Sequence, residues 1–101
     1  MKWIVRYLPE AEEDLRRLDG SVIREVRKAI EKLKANPEIG KPLGHKQVNL
    51  TGLRKVKLRK AGIRIIYCVF HERSEVLIVV VGSRADDEVY KIAARRMKDL
   101  D

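Results

Sequence analysis

"RKVKLRKAGIRIIYCV", residues 54–69, decides how the chain folds. Its first half alternates, so an extended backbone places Val56 and Leu58 on one side and Lys55, Lys57 and Arg59 on the other. Its second half is a β-branched and aromatic run, Ile63 to Val69, suited to a strand inside a sheet. Lys60 and Ala61 between them read as a two-residue turn. Parity then fixes the pairing. With Arg59 opposite Gly62, Lys57 lies opposite Arg64 and Leu58 opposite Ile63. A slip of one residue would carry Arg64 onto the face of Leu58, unpaired among apolar groups. The first register is the expected one, and it gathers Lys55, Lys57, Arg59 and Arg64 on one sheet face.

Working outward, "KWIVRY" alternates with Trp3, Val5 and Tyr7 on one face and predicts a first strand. Pro9 opens a helix whose early acids suit the positive end of the helix dipole. Ala11, Leu15 and Leu18 form its apolar face, and Asp19-Gly20 ends it. Ser21 is the expected N-cap of a second helix, with a stripe of Val22, Val26, Ile30 and Leu33 that stops at Asn36-Pro37. Residues 38–51, broken by Gly40, Pro42 and Gly44, read as an irregular crossing loop. Three strands follow, near 53–59, 63–70 and 75–82. "DDEVYKIAARRMKDL" closes the chain as a helix whose inward stripe is Val89, Ile92, Ala93, Arg96 and Leu100, interrupted by that one arginine. The expected fold is α+β in the order β-α-α-β-β-β-α, with a helical hairpin and a C-terminal helix packed on a mainly antiparallel four-stranded sheet. One domain, 1–101, fits the length.

Charge is distributed unevenly. Residues 1–38 hold nine basic and eight acidic side chains, and residues 72–101 hold six and seven. Residues 39–71 hold eight basic side chains and no Asp or Glu, so the net charge of +8 arises there. A one-signed field favours an anionic partner, nucleic acid above all, whereas the bland alternative is a solvated basic face. The cluster works against folding. Two like charges about 5 Å apart repel by roughly 3 kcal/mol at an effective dielectric of about 20. Crowded cations also give up protons more readily, which moves a lysine towards use as a base.

Two further residues adjoin the cluster. Arg84 follows the last strand after Gly82-Ser83, and Tyr90 lies one turn into the final helix, where a ring beside a basic groove can stack on a base. Taken alone, Tyr90 is a packing residue and Arg84 a surface arginine. His45 and His71 sit in a loop and a turn, away from the cationic strands, and read as exposed and idle. Asp86-Asp87 read as the acidic start of a helix. No metal-ligand spacing, phosphate-loop glycine pattern or serine–histidine arrangement occurs, so no cofactor and no metal are expected. Cys68 is the only cysteine and excludes an internal disulfide. With no membrane-length apolar run and no signal-peptide pattern before Trp3, a cytoplasmic protein is expected. High charge with two Asn and one Gln also fits a heat-adapted source.

These residues resemble the RelE/ParE superfamily of bacterial and archaeal toxins, and within it the RelE-type messenger RNA interferases. The resemblance runs from "YLPEAEEDLRRL" to "DDEVYKIAARR" and is carried by "RKVKLRKAGIRIIYCV" and "VVVGSRADDEVYKIA". Their order and spacing are similar to the family's Lys-x-Lys-Leu-Arg, Gly-x-Arg-hydrophobic-x-Tyr and Val-Gly-x-Arg…Val-Tyr segments. The resemblance implies a toxin that enters the ribosomal A site and cuts messenger RNA without metal, by attack of a 2′-hydroxyl on the adjacent phosphate. Carried over by position, Lys57 would be the base and Lys55 would support the charged transition state. Arg64 would stabilise the phosphorane, Arg84 would assist the leaving oxygen, Tyr90 would stack on the target base, and Arg59 would face the RNA. Ile63 departs from the pattern, standing where relatives commonly carry an aromatic residue.

The implied partners are ribosome, messenger RNA and a cognate antitoxin with an acidic or amphipathic segment. Two other readings stay open: a ParE-like inhibitor of DNA gyrase, and a non-catalytic RNA- or ribosome-binding module. ParE-like members generally lack the lysine and arginine set that this chain retains.

Overall fold

The computed structural model describes residues 2–43, 52–83 and 88–100. Along the chain run β1 (Ile4–Tyr7), α1 (Pro9–Arg16), α2 (Gly20–Ala35), β2 (Lys41–Pro42), β3 (Leu53–Leu58), β4 (Ile63–Phe70), β5 (Glu75–Ser83) and α3 (Glu88–Lys98). Single 3-10 turns at Pro37–Ile39 and His71–Arg73 complete the description. The strands form one sheet in the order β1-β5-β4-β3-β2. β1 runs parallel to β5, and the other pairings are antiparallel. The α+β class and the element order are as the sequence predicts. The sheet has a fifth strand, because Lys41 and Pro42 pair with Lys55 and Arg54 inside the stretch expected to be irregular.

The predicted hairpin register is the observed one: Lys57 pairs with Arg64 and Leu58 with Ile63. The turn closes with the Gly62 N–H donating to the Arg59 carbonyl at 3.3 Å. Gly62 takes φ +67°, a left-handed conformation that glycine adopts without a Cβ clash. Arg59 therefore sits in the turn and not in β3.

Several local expectations are corrected. β1 begins at Ile4 and not at Lys2. Asp19, not Ser21, caps α2: its carboxylate accepts from the Ser21 and Val22 N–H groups at 3.1 Å each, and the Ser21 hydroxyl donates to the same oxygen. The carboxylate wins because it satisfies two orphan donors at once. In α3 the inward stripe is Val89 and Ala93, both buried, with Ile92 and Arg96 partly buried beside them, whereas Leu100 lies beyond the helix and is 49% exposed.

The sheet is covered on both faces. Ile65 and Tyr67 share a face with Ile78 and Tyr7, the side on which α2 lies, and the Tyr67 hydroxyl reaches the Pro37 carbonyl at the end of that helix. Arg64, Ile66 and Cys68 take the other face, where α3 lies. Burial on both sides explains why β4 is an unbroken apolar run apart from Arg64, with Ile65, Ile66 and Tyr67 fully buried. Val56 and Leu58, expected as core, are only half-buried, while Leu53 on the cationic side of β3 is buried. The face assigned to solvent is thus partly interior.

Candidate active site

β3 and β4 set three of the site residues by pairing alone. Lys55 lies opposite Ile66, and Lys57 opposite Arg64, all on the α3 face. Lys57 is exposed, Lys55 is half-buried, and Arg64 is only 8% exposed. α3 contributes Tyr90, whose hydroxyl accepts from Lys55 Nζ at 3.1 Å. The Arg64 guanidinium carbon lies 4.9 Å from the centre of the Tyr90 ring, and Lys55 Nζ lies 5.5 Å from it. The structure thus brings Lys55, Lys57, Arg64 and Tyr90 together. Arg59, in the exposed turn at the end of the hairpin, stands beyond them. Arg84 lies outside the described residues, as do His45 and Asp86-Asp87.

Arg64 is the unusual member. Its Nε and Nη1 are buried and make no hydrogen bond among the described residues, and its known contact is the ring of Tyr90. Buried guanidinium donors are normally satisfied, because each one left unpaired costs desolvation free energy. The chemistry that would satisfy a fork of N–H donors here is an oxyanion, and the planar guanidinium matches a phosphate in two-point fashion. An aromatic ring over one cation and hydrogen-bonded to another is an economical way to hold both in place before an anion arrives.

Three residues outside the expected set hold the frame of the site. Arg54 donates to the carbonyls of Glu38 and Gly40 and pairs with the Glu38 carboxylate at 2.7 Å. Tyr67 donates to the Pro37 carbonyl at 2.7 Å and accepts from the Gly40 N–H at 2.9 Å. Gly40 must be glycine here, since a Cβ would meet both that hydroxyl and the Lys55 carbonyl, the latter at 2.8 Å. Burial pushes the Tyr67 hydroxyl above the usual phenol range, which keeps it a neutral donor. His71, expected to be idle, bonds Glu38 at 3.0 Å and packs T-shaped with Trp3, ring centres 5.6 Å apart. The hydrogen bond to His71, and then the charge of Arg54, hold the Glu38 carboxyl below its ordinary value. None of these contacts reaches the cationic cluster directly; they anchor the segment that precedes β3. Among the described residues no group of three His, Cys, Asp or Glu side chains is placed to hold a metal ion, and no helix is long and apolar enough to cross a membrane.

The hairpin that brings Lys55, Lys57 and Arg64 beneath Tyr90 lies in the segments that carry the resemblance to the RelE/ParE superfamily. The chain belongs to that superfamily: residues 5–88 match the family described as the ParE toxin of type II toxin–antitoxin systems, parDE. Among individual proteins it is similar to a putative RelE-like toxin protein of Escherichia coli, 30% identical over 101 residues, 97% of this chain and 100% of that one. It is also similar to the mRNA interferase toxin RelE of Escherichia coli, 28% identical over 96% of this chain and 99% of the relative. The solved structure of an Escherichia coli RelE mutant in the free state superposes with a TM-score of 0.79 at 26% identity, covering 96% of this chain and 99% of the other. The same mutant bound to a peptide of the antitoxin RelB superposes with a TM-score of 0.73 at 27% identity, over 92% and 95%. The chain is a RelE-like toxin of a toxin–antitoxin system.

Proposed function

We propose that the protein is a ribosome-dependent endoribonuclease that cuts messenger RNA in the A site and so stops translation. The observation that carries this reading is Arg64, buried opposite Lys57 and beneath Tyr90 with its Nε and Nη1 unpartnered among the described residues, an arrangement suited to a phosphodiester. Lys57 takes the proton from the 2′-hydroxyl, and the 2′-oxygen attacks the adjacent phosphorus. Arg64 and Lys55 stabilise the negative charge that accumulates on the phosphorane. The bond from phosphorus to the 5′-oxygen breaks, with Arg84 assisting the leaving oxygen, which gains a proton. The products are a 2′,3′-cyclic phosphate and a free 5′-hydroxyl. Tyr90 stacks on the target base, which sets the 2′-oxygen in line with the leaving oxygen. Arg59, at the tip of the hairpin, contacts the RNA backbone. Neither step calls for a metal, because the charge that a metal would neutralise is met by three cations.

The relative's name, an mRNA interferase, and the antitoxin peptide seated on a structural neighbour support the same reading. The partner that restrains the toxin is a cognate antitoxin with an acidic or amphipathic segment, matched to the basic middle of this chain. The setting is the cytoplasm, where ribosomes translate. A second reading, inhibition of DNA gyrase, is favoured by the ParE name of the matching family.

One experiment separates them. The purified protein is added to ribosomes stalled on a defined message and the new 5′ ends are mapped. Cuts in the A-site codon that disappear with Lys57→Ala or Arg64→Ala are expected. An intact message together with inhibited gyrase supercoiling overturns the nuclease reading.

A further inference from the structure

The arginine that interrupts the apolar stripe of α3 is not part of the cationic cluster. Arg96 is inward-facing and pairs with Asp14 of α1: Nη1 to Oδ2 at 2.8 Å and Nη2 to Oδ1 at 3.2 Å. Both side chains are largely shielded, 16% and 12% exposed. Each makes one further bond, and both of these go to the backbone of β5. Arg96 Nη1 donates to the Val79 carbonyl at 2.8 Å, and the Val81 N–H donates to Asp14 Oδ2 at 3.0 Å.

The position of those two backbone groups explains the pair. β1 accompanies β5 only as far as Ile78, whose carbonyl accepts from the Leu8 N–H. A register shift between Ile66 and Tyr67 leaves Val79 without a partner on β4. Val79 and Val81 are both buried, so their polar groups need partners that water cannot supply. Asp14 and Arg96 stand in for the strand that is missing there. The same four atoms therefore tie α1, α3 and the end of β5 together. Val81 precedes Gly82, which pairs with Arg64, and β5 leads on to Arg84. Arg96 lies six residues beyond Tyr90 on the same helix, about 9 Å along its axis.

We propose that Asp14 and Arg96 are positioning residues for the reaction: their clamp on the β5 edge sets the distance between Tyr90 on α3 and Arg64 on the sheet. This rests on the nuclease reading above. Arg96→Lys keeps the charge and loses the fork that serves Asp14 and Val79 together. With this variant folded, as shown by circular dichroism, the expected result is a kcat for A-site cleavage lowered on the order of ten- to a hundred-fold, with KM for programmed ribosomes unchanged. Asp14→Glu, which keeps the carboxylate, is expected to recover part of the rate that Asp14→Asn loses. A folded Arg96→Lys protein with wild-type kcat overturns the proposal, and so does a raised KM at constant kcat, which would make the pair part of a docking surface.

Hydrogen exchange on the unaltered chain gives a second reading that needs neither activity nor a stable variant. The Val81 amide and the amides of the Tyr90 turn are expected to open together, with one opening constant. Independent opening of the two overturns the clamp. If the wild-type protein cuts no message, the nuclease reading falls, and the exchange result still decides whether the clamp exists.

Discussion

Replacing Arg64 with methionine should make the protein more stable and inactive at once. In the folded state Arg64 is 8% exposed, with two guanidinium donors buried and unpartnered among the described residues. Leaving buried donors unsatisfied costs about 1–3 kcal/mol. Lys57 sits directly across the ladder, and a like-charged cross-strand pair is unfavourable by a further ~0.2–1 kcal/mol. Against these stands the contact with the Tyr90 ring, worth about 0.5–2 kcal/mol. Methionine is flexible enough to fill the volume between Ile66 and the ring without a polar atom to satisfy. The net gain is about 1–2 kcal/mol, which for a domain of this size raises Tm by roughly 5–15 °C. Urea unfolding in a buffer free of phosphate and sulfate measures it, read beside A-site cleavage on programmed ribosomes. A variant less stable than wild type by about 1 kcal/mol or more would refute the reasoning, because it would mean that the guanidinium holds the fold together and is not kept for an anion.

Three other outcomes follow from the packing of β4. Tyr67→Phe leaves the Gly40 N–H and the Pro37 carbonyl without their partner, a loss of about 2–4 kcal/mol in urea unfolding. The folded-state pKa of Tyr67 lies above its ordinary value of 10.0, so its contribution to stability is whole below about pH 10 and declines as pH rises through the raised value; the alkaline limb of a stability–pH curve should therefore differ between wild type and Tyr67→Phe. Cys68 is buried, and burial pushes its thiol pKa up, so a disulfide reagent at neutral pH should leave the native chain untouched and react at the rate of unfolding. Rapid labelling of the native protein would contradict the packing of β4.

The hairpin was legible because its information is local. Alternation in β3, a short turn and parity settle which residues share a face, and Gly62 makes the turn possible. Lys55, Lys57 and Arg64 could be grouped from these facts alone. What covers that face could not be read, since α3 docks through Arg96 on Asp14, 82 residues away, with β5 backbone groups that have no side-chain signature. The burial of Arg64 and the contacts of Tyr90 depend on that docking. Arg54 is recruited by carbonyls at Glu38 and Gly40 that only the folded chain brings to it. The edge strand β2 is two residues long, too short for periodicity to register. Asp19 and Ser21 are both good capping residues, and the choice between them depends on where the first turn of α2 closes.

Central to the account is that the 2′-oxygen of the message is the nucleophile and that the cations of the hairpin supply the rest. The direct measurement is A-site cleavage on programmed ribosomes carrying messages that differ by a single 2′-deoxy substitution at the scissile nucleotide. The unmodified message is expected to be cut to a 2′,3′-cyclic phosphate and a 5′-hydroxyl, and the substituted message to survive. Cleavage of the deoxy-substituted message at the same phosphate would contradict attack by the 2′-oxygen.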